Sequence, residues 1–298
     1  MSAVRLAELT TLRLGGPARR LVEAESAADL IAAVSAADRA GEPALVVAGG
    51  SNLVVADAGF DGVAVRIATR GVDAVRAGER VRLTVAAGEP WDALVARCVA
   101  DGLAGIECLS GIPGSTGATP IQNVGAYGQE VATTLVSVRA YDREAGTTVV
   151  LDRDRCGFAY RSSAFKGSAR FVILEVTLEL DPTPNARPVA YAQLAATLGV
   201  EPGARPPLAA VREAVLALRR AKGMVVDSED PDSVSAGSFF TNPILGAATF
   251  RELERRVAAR LGAEARPPSW PEPDGGVKTS AAWLIERAGF GRGYGTGA

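Results

Sequence analysis

The sequence predicts an α/β protein in which strands and helices alternate up to about residue 180, followed by a helix-bearing lobe over about 223–298. Three observations carry this. Strand-like and helix-like apolar patterns succeed one another through the first hundred residues. A glycine-rich segment at 105–128 then separates them from three more strand patterns. Beyond a proline-rich stretch at 181–193, the strong patterns are helical.

The first helix is predicted over about 26–40. Ser26 and Asp29 have capping-box spacing, and Leu30, Ala33, Val34 and Ala37 share a face until Gly41. EPALVVAGGSNLVV is β-rich but broken at Gly49, Gly50, Ser51 and Asn52, and GVAVRIA supplies a further strand. RVRLTVAAG is a strand, and WDALVARCVADGL a helix with Trp91, Leu94, Val95 and Cys98 on one face, stopped at Gly102. Residues 105–128 hold too many glycines for a helix and too little alternation for a long strand, so they form a long loop. TLVSVRAYD, TTVVLD and FVILEVTLEL are strands, with YRSSAFKG in the connection before the last, and DPTPNARPVAYAQ is a hinge or an exposed loop. PLAAVREAVLALRRAKG aligns Leu208, Val211, Val215 and Leu218, with basic residues in its last turns. A capping box from Thr249 to Glu252 opens a helix burying Phe250, Leu253, Val257 and Leu261, and TSAAWLIERAG is a third helix of this region. The terminal GFGRGYGTGA is expected to fray.

The 298 residues are 48% hydrophobic and 22% charged, which excludes a disordered or collagen-like chain. Only 5% are aromatic, so Val, Leu, Ile and Ala must fill the core. Histidine is absent, which removes every Ser-His-Asp, Cys-His or His-ligated metal scheme, and no metal site is expected. Cys98, Cys108 and Cys156 form no C-x-x-C pair and are expected to be reduced core thiols. The N-terminus lacks the apolar run of a signal peptide, and no stretch reaches the ~20 apolar residues of a membrane span, so a cytoplasmic protein without a membrane partner is expected. With 32 basic and 34 acidic residues, no global field favours nucleic acid, although local arginines remain available to a small anion.

Neither G-x-G-x-x-G nor G-x-x-x-x-G-K-[ST] occurs. Two other cradles are available: the turn Gly49-Gly50-Ser51-Asn52-Leu53, and the long loop with Gly111, Gly114, Gly117, Gly125 and Gly128. Glycines let successive N–H groups converge on phosphate oxygens, but one such loop taken alone is more often a plain tight turn.

VVAGGSNLVV, IPGSTGATPIQNVGAYG, FAYRSSAF, SAGSFFTNP and VKTSAAWLIERAGF, with the opening TTLRLGGPARRLVE, resemble in content and order the signatures of the UDP-N-acetylenolpyruvoylglucosamine reductase family. That resemblance spans about Thr11 to Phe290. It implies an α/β (α+β) fold: a two-lobed FAD-binding domain of the vanillyl-alcohol-oxidase and cresol-methylhydroxylase (PCMH) type, plus a smaller substrate-binding α+β domain. The implied lobes are 1–66 and 67–222, with the PCMH-type region at about 15–181, and the substrate domain is 223–298. It further implies non-covalent FAD, NADPH as hydride donor, UDP-N-acetylglucosamine enolpyruvate as substrate, and a monomer. No histidine exists to tether a flavin, and no cysteine lies in the glycine turns.

By the same resemblance the cofactor lies against Gly49, Gly50, Ser51, Asn52, Leu53, Gly114, Ser115, Gly117, Ala118, Thr119, Gln122, Asn123, Gly125, Ala126 and Tyr127. Arg161 matches a catalytic arginine facing the enolpyruvyl carboxylate, where a guanidinium can stabilise charge arriving with the hydride. Ser238 matches a proton donor to the carbon beside that carboxylate, and Asn242 a substrate ligand next to it. Tyr191 matches a tyrosine closing over the nucleotide half. Lys222 and Lys278 match positions suited to its phosphates; taken alone, each lysine is equally a solvent-exposed one.

The family also has a C-terminal glutamate in an L-x-P-E type strand, and these 298 residues contain no such segment; Glu286 belongs to the preceding helix pattern. The catalytic set is therefore expected to be incomplete in this sequence. Two functions follow: an NADPH-dependent reductase of peptidoglycan precursor synthesis, or a truncated homologue that binds FAD or a UDP-sugar without turnover. A flavin oxidase of the wider superfamily is a third, though it should lack the Ser238 block.

Overall fold

Ser26 starts the first helix as its spacing predicts: its Oγ accepts the Asp29 N–H at 3.1 Å, and Asp29 accepts the Ser26 N–H at 3.1 Å. The protein is described here from a computed structural model, which describes residues 4–291 and 294–295. Its contacts divide it into two units, Met1–Gly237 and Ser238–Ala298.

In the first unit, β1 (Ala18–Ala24), α1 (Ala27–Ala40), β2 (Ala44–Val47) and β3 (Phe60–Ile67) form a parallel sheet in the order β1-β3-β2 with α1 against it. Central β3 buries Val63, Ala64 and Val65 in succession, as a parallel strand covered on both faces does. The GVAVRIA run foretells it. β1 escapes sequence reading because Arg19, Arg20 and Glu23 interrupt its apolar pattern; they pair instead with Asp61, Glu42 and Arg66 along a charged edge.

The larger sheet begins with the hairpin of β4 (Val72–Ala77) and β5 (Arg80–Ala86), followed by α2 (Trp91–Ala100) and the short β6 (Leu103–Ala104). α2 buries the four residues the sequence aligned, Trp91, Leu94, Val95 and Cys98. Two short strands, β7 (Gly125–Ala126) and β8 (Gln129–Glu130), make a hairpin in the glycine-rich loop. Then β9 (Leu135–Asp142), β10 (Thr147–Asp152) and β11 (Phe171–Pro182) complete an antiparallel order β10-β9-β11-β5-β4, with β6 paired to the end of β11. The core is aliphatic, as the low aromatic content requires, with Val85, Val95, Ile106, Leu109, Val138, Val176 and Leu178 shut away around Trp91.

α3 (Ala192–Leu198) and α4 (Leu208–Arg220) close this unit. The proline-rich segment is irregular as expected, but Ala192 and Gln193 already belong to α3, whose seven residues are too few to announce a period. α4 buries Leu208, Val211 and Val215 and leaves Leu218 half-buried. Its Arg212 grips Asp92 of α2 through both guanidinium nitrogens at 2.6 and 2.9 Å, while the Gly111 N–H donates to the same carboxylate at 2.6 Å. Burial opposes ionisation of Asp92, yet Arg212 and Gly111 together hold its carboxyl below the usual range. The three cysteines are free and buried, and desolvation pushes Cys98 and Cys108 up to about 12 and Cys156 to about 11.

The second unit contains β12 (Ile244–Leu245), α5 (Ala247–Leu261), β13 (Ser269–Pro271), β14 (Val277–Thr279) and α6 (Ala281–Arg287), with the strands in the order β12-β14-β13. Strands of two or three residues are too short to alternate visibly. One sequence expectation is corrected. α5 begins at Ala247 with Gly246 at its N-cap, so Thr249 lies inside the helix and makes no capping box. Glu252 turns to Arg255 and Arg256 instead. Phe250 and Val257 are buried, Leu253 is half-buried, and Leu261 in the final turn is exposed. Of the terminus expected to fray, 292–293 and 296–298 lie outside the described residues.

Candidate active site

The two glycine-rich segments meet. A Cβ at Gly49 would stand 2.5 Å from Gly114 Cα, and one at Gly114 would stand 2.5 Å from Ser51 Oγ. Gly114 also has φ +112°, a conformation for which glycine is the natural residue. The long loop is seated on the corner between β5 and α2: Trp91 N–H donates to Gly114 O at 3.0 Å, Thr116 N–H to Glu89 O at 2.8 Å, and Gly117 N–H to Ala87 O at 2.9 Å. Gly117 is needed there, since a Cβ would come within 2.5 Å of Ala87 Cβ.

Ser115 projects a buried Oγ that has no hydrogen-bond partner among the described residues. Such an orphan is costly unless a ligand satisfies it. A backbone-lined cradle that any Cβ would fill, with an unsatisfied hydroxyl beside it, fits a pyrophosphate approached closely by main chain. Ser51, Leu53, Ala118 and Gln122 are half-buried around these turns, and Asn52 is exposed. Thr119 and Asn123 face the protein: Thr119 Oγ1 donates to Thr116 O at 2.8 Å, and Asn123 spends its amide on Glu130, Ala159 and Ala132. Those two residues shape the loop through their side chains. A cleft of about 300 Å³ beside Gly49 is bordered by Thr10, Arg13, Arg66 and Val226.

Arg161 sits in a two-residue turn closed by reciprocal bonds between Ala159 and Ser162 at 3.1 and 3.2 Å. Its φ is +51°. Among the described residues, the non-glycines at positive φ are Arg13, Asn123, Tyr127 and Arg161; Arg161 bonds the Asn123 carbonyl, and Tyr127 lies two residues beyond the Gly125 carbonyl that Arg161 also bonds. Each such residue costs on the order of 1–3 kcal/mol, a strain that concentrates at functional sites. The Arg161 guanidinium donates to Asn123 O at 3.2 Å and Gly125 O at 2.5 Å, lies 3.6 Å from Glu130, and stands over the Tyr160 ring. Its Nε–H makes no hydrogen bond to a described residue. Ser163, two positions on, donates to Ile121 O at 2.7 Å and fastens the YRSSAF turn to the glycine loop.

Tyr127, at the tip of the β7–β8 hairpin beside Ala126, meets Tyr191 edge to face with ring centroids 5.4 Å apart. Lys222 Nζ reaches Gln193 of α3 at 3.4 Å, so Tyr191 and Lys222 border the same short helix. Sequence reading missed Arg219, which it took only as a basic residue in a helix's last turn. Its guanidinium holds Met224 O at 2.8 Å, and its Nε is buried without a partner among the described residues. Burial lowers its pKa against the opposing influence of Tyr127 and Asp92, while burial raises that of Tyr127. In the second unit Asn242 Oδ1 accepts the Ala281 N–H at 3.0 Å at the start of α6, Lys278 pairs with Glu272 at 2.5 Å, and Ser238 is exposed.

Glycine turns that let main chain approach an anion, on a two-sheet α/β scaffold with a small α+β unit, define an FAD-binding oxidoreductase fold. Residues 18–152 match the FAD binding domain family. The crystal structure of UDP-N-acetylenolpyruvylglucosamine reductase from Thermus caldophilus superposes with a TM-score of 0.56 at 24% identity, covering 96% of this chain and 92% of that one. The UDP-N-acetylenolpyruvoylglucosamine reductase of Thermobifida fusca is 57% identical over 295 residues, 99% of this chain and 83% of its own. That of Streptomyces coelicolor is 57% identical over 294 residues, 98% of this chain and 76% of its own. That of Mycolicibacterium smegmatis is 49% identical over 296 residues, 98% and 80% of the two chains. The chain belongs to the UDP-N-acetylenolpyruvoylglucosamine reductase family.

Proposed function

We propose that this chain reduces UDP-N-acetylglucosamine enolpyruvate to UDP-N-acetylmuramate with NADPH, as a cytoplasmic monomer in peptidoglycan precursor synthesis. The observation that carries it is Arg161, held at a strained φ against the Asn123 and Gly125 carbonyls of the glycine-rich loop. Bound FAD would pass hydride from NADPH to the vinyl group of the substrate. The residues that would hold it are the turn Gly49 to Leu53 and the loop from Gly114 to Tyr127, with Ser115 Oγ as a ready hydrogen-bonding group. The burial of all three thiols and the absence of histidine support a cofactor held without a covalent tether.

Arg161 offers its Nε edge to the substrate carboxylate, whose charge grows as hydride arrives, and paired N–H bonds match that planar group. Ser238 supplies the proton to the carbon next to the carboxylate, which requires surroundings that stabilise its transient alkoxide. Tyr191 closes over the nucleotide half, Lys222 and Lys278 receive its phosphates, and Asn242 binds the substrate next to Ser238. The identities of 57% and 49% to reductases favour this over a flavin oxidase or a non-catalytic binding protein. The lobe limits at 66 and 222 belong to the same proposal.

Initial-velocity measurements test it. Parallel lines across NADPH concentrations are expected because both substrates use one cleft in turn; intersecting lines, or a protein that takes up no FAD, would overturn it. No helix among the described residues is long and apolar enough to cross a membrane.

A further inference from the structure

We propose that Glu130 is the positioning residue that orients the Arg161 guanidinium, an inference that rests on the reading of Arg161 given above. Glu130 carries the carboxylate that pairs with Arg161, at 3.6 Å, and the hydrogen bonds of that guanidinium go to the neutral carbonyls of Asn123 and Gly125, with the Tyr160 ring beneath it. The carboxylate is itself held. Its second oxygen accepts Asn123 Nδ2 at 2.9 Å, and Asn123 is buried to 2% exposure with its own Oδ1 fixed by the Ala132 N–H at 3.1 Å.

Space at Gly125 makes the pairing possible. A Cβ there would stand 2.6 Å from Arg161 Nη1 and 2.8 Å from Glu130 Cγ, so both side chains pack over the missing methyl. The hairpin β7–β8 thus presents one carboxylate and one carbonyl to the Nη edge of the fork. Nε makes no hydrogen bond to a described residue, which leaves its N–H as a donor for the substrate. Both side chains remain partly exposed, at 27% and 37%, so solvent screens the pair and it adds little to folding stability. Its effect is on orientation: a planar donor must be aligned to within a fraction of an ångström, and a misplacement of about 1 Å costs on the order of a hundredfold in rate.

The test uses the flavin-loaded protein and its Glu130→Gln, Arg161→Lys and doubly substituted forms. Glu130→Gln is expected to leave the melting temperature and flavin reduction by NADPH unchanged, and to slow flavin reoxidation by the enolpyruvyl substrate roughly ten- to a hundredfold. Calorimetric binding should weaken for the enolpyruvyl substrate and stay unchanged for UDP-N-acetylglucosamine, which has no carboxylate. In the Arg161→Lys background, Glu130→Gln should have almost no further effect, because coupled residues are not additive. Additive losses, or a Glu130→Gln protein with unaltered reoxidation, would overturn the proposal while leaving Arg161 in place. Unimpaired reoxidation in Arg161→Lys would instead sink the reading of Arg161, and this proposal with it. If Glu130→Gln loses flavin, Glu130→Asp is measured in its place; flavin loss in both, or equal slowing of both half-reactions, marks a mere fold brace and also overturns it.

Discussion

Gly49 and Gly114 touch through their backbones, so closely that a methyl group on Gly49 would lie 2.5 Å from Gly114 Cα. Gly49→Ala must push the two loops apart. Overpacking of this kind costs about 1–3 kcal/mol, and here it falls on the proposed pyrophosphate cradle. The variant should purify with little flavin and a lower melting temperature. Gly128→Ala is the contrast: φ is +86° but nothing lies within 4 Å, so only a backbone cost of about 1 kcal/mol and normal flavin content are expected. Wild-type flavin binding by Gly49→Ala would remove the cradle from this turn.

Ser238→Ala separates the two halves of the reaction. Hydride uptake from NADPH needs no proton from Ser238, while reduction of the enolpyruvyl carbon does. Stopped-flow should show normal flavin bleaching and reoxidation slowed by about a hundredfold or more. Equal slowing of both steps would show that Ser238 is not the proton donor.

Asp92→Asn should destabilise the first unit at neutral pH and not in acid. Because Arg212 and Gly111 depress the folded pKa of Asp92, the stabilisation is present above the unfolded carboxylate value of about 3.9 and is lost as pH falls through the lower folded value. Its side chain keeps 38% of its surface, so solvent screening limits the loss to about 1 kcal/mol. Urea titrations of both proteins at pH 7 and pH 3 should therefore differ at the first and converge toward the second. A constant gap would assign the effect to packing.

The thiols should be silent in the native protein. With Cys98 and Cys108 pushed to about 12 and Cys156 to about 11 by burial, at most about one molecule in a thousand carries a given thiolate at pH 8. A thiol-disulfide reagent should label all three cysteines on denaturation and essentially none before it. Rapid labelling of any one in the folded state would show that its segment opens.

What the sequence could convey was local. Trp91, Leu94, Val95 and Cys98 advertise α2 by period alone, and Ser26 with Asp29 marks the start of α1 within four residues. β1 and β4 were hidden because their side chains answer to ion pairs and solvent rather than to a core, and α3 because it is shorter than two full periods. At the site, the turn at Gly49 and the loop at Gly114 were each visible, but not that they touch. Arg161 was marked by the words around it, whereas Glu130 was not, since an acidic residue after Gln129 looks like any surface residue until β8 places it beside Asn123. Arg219 is the converse case: helix-dipole logic explained it too readily and concealed a buried nitrogen.

Strand β11 joins the hairpin β4–β5 on one side and β9–β10 on the other. On the ribosome, β5 is therefore complete well before the neighbour it needs has been made. At ~5–20 residues per second the wait between the end of β5 and the end of β11 is roughly 5–20 s. During it the nascent chain carries a hairpin with an open inner edge, and Val85 and Leu83 have no β11 side chains to meet. Birth of this protein thus includes an interval in which an unpaired strand edge is open to mispairing.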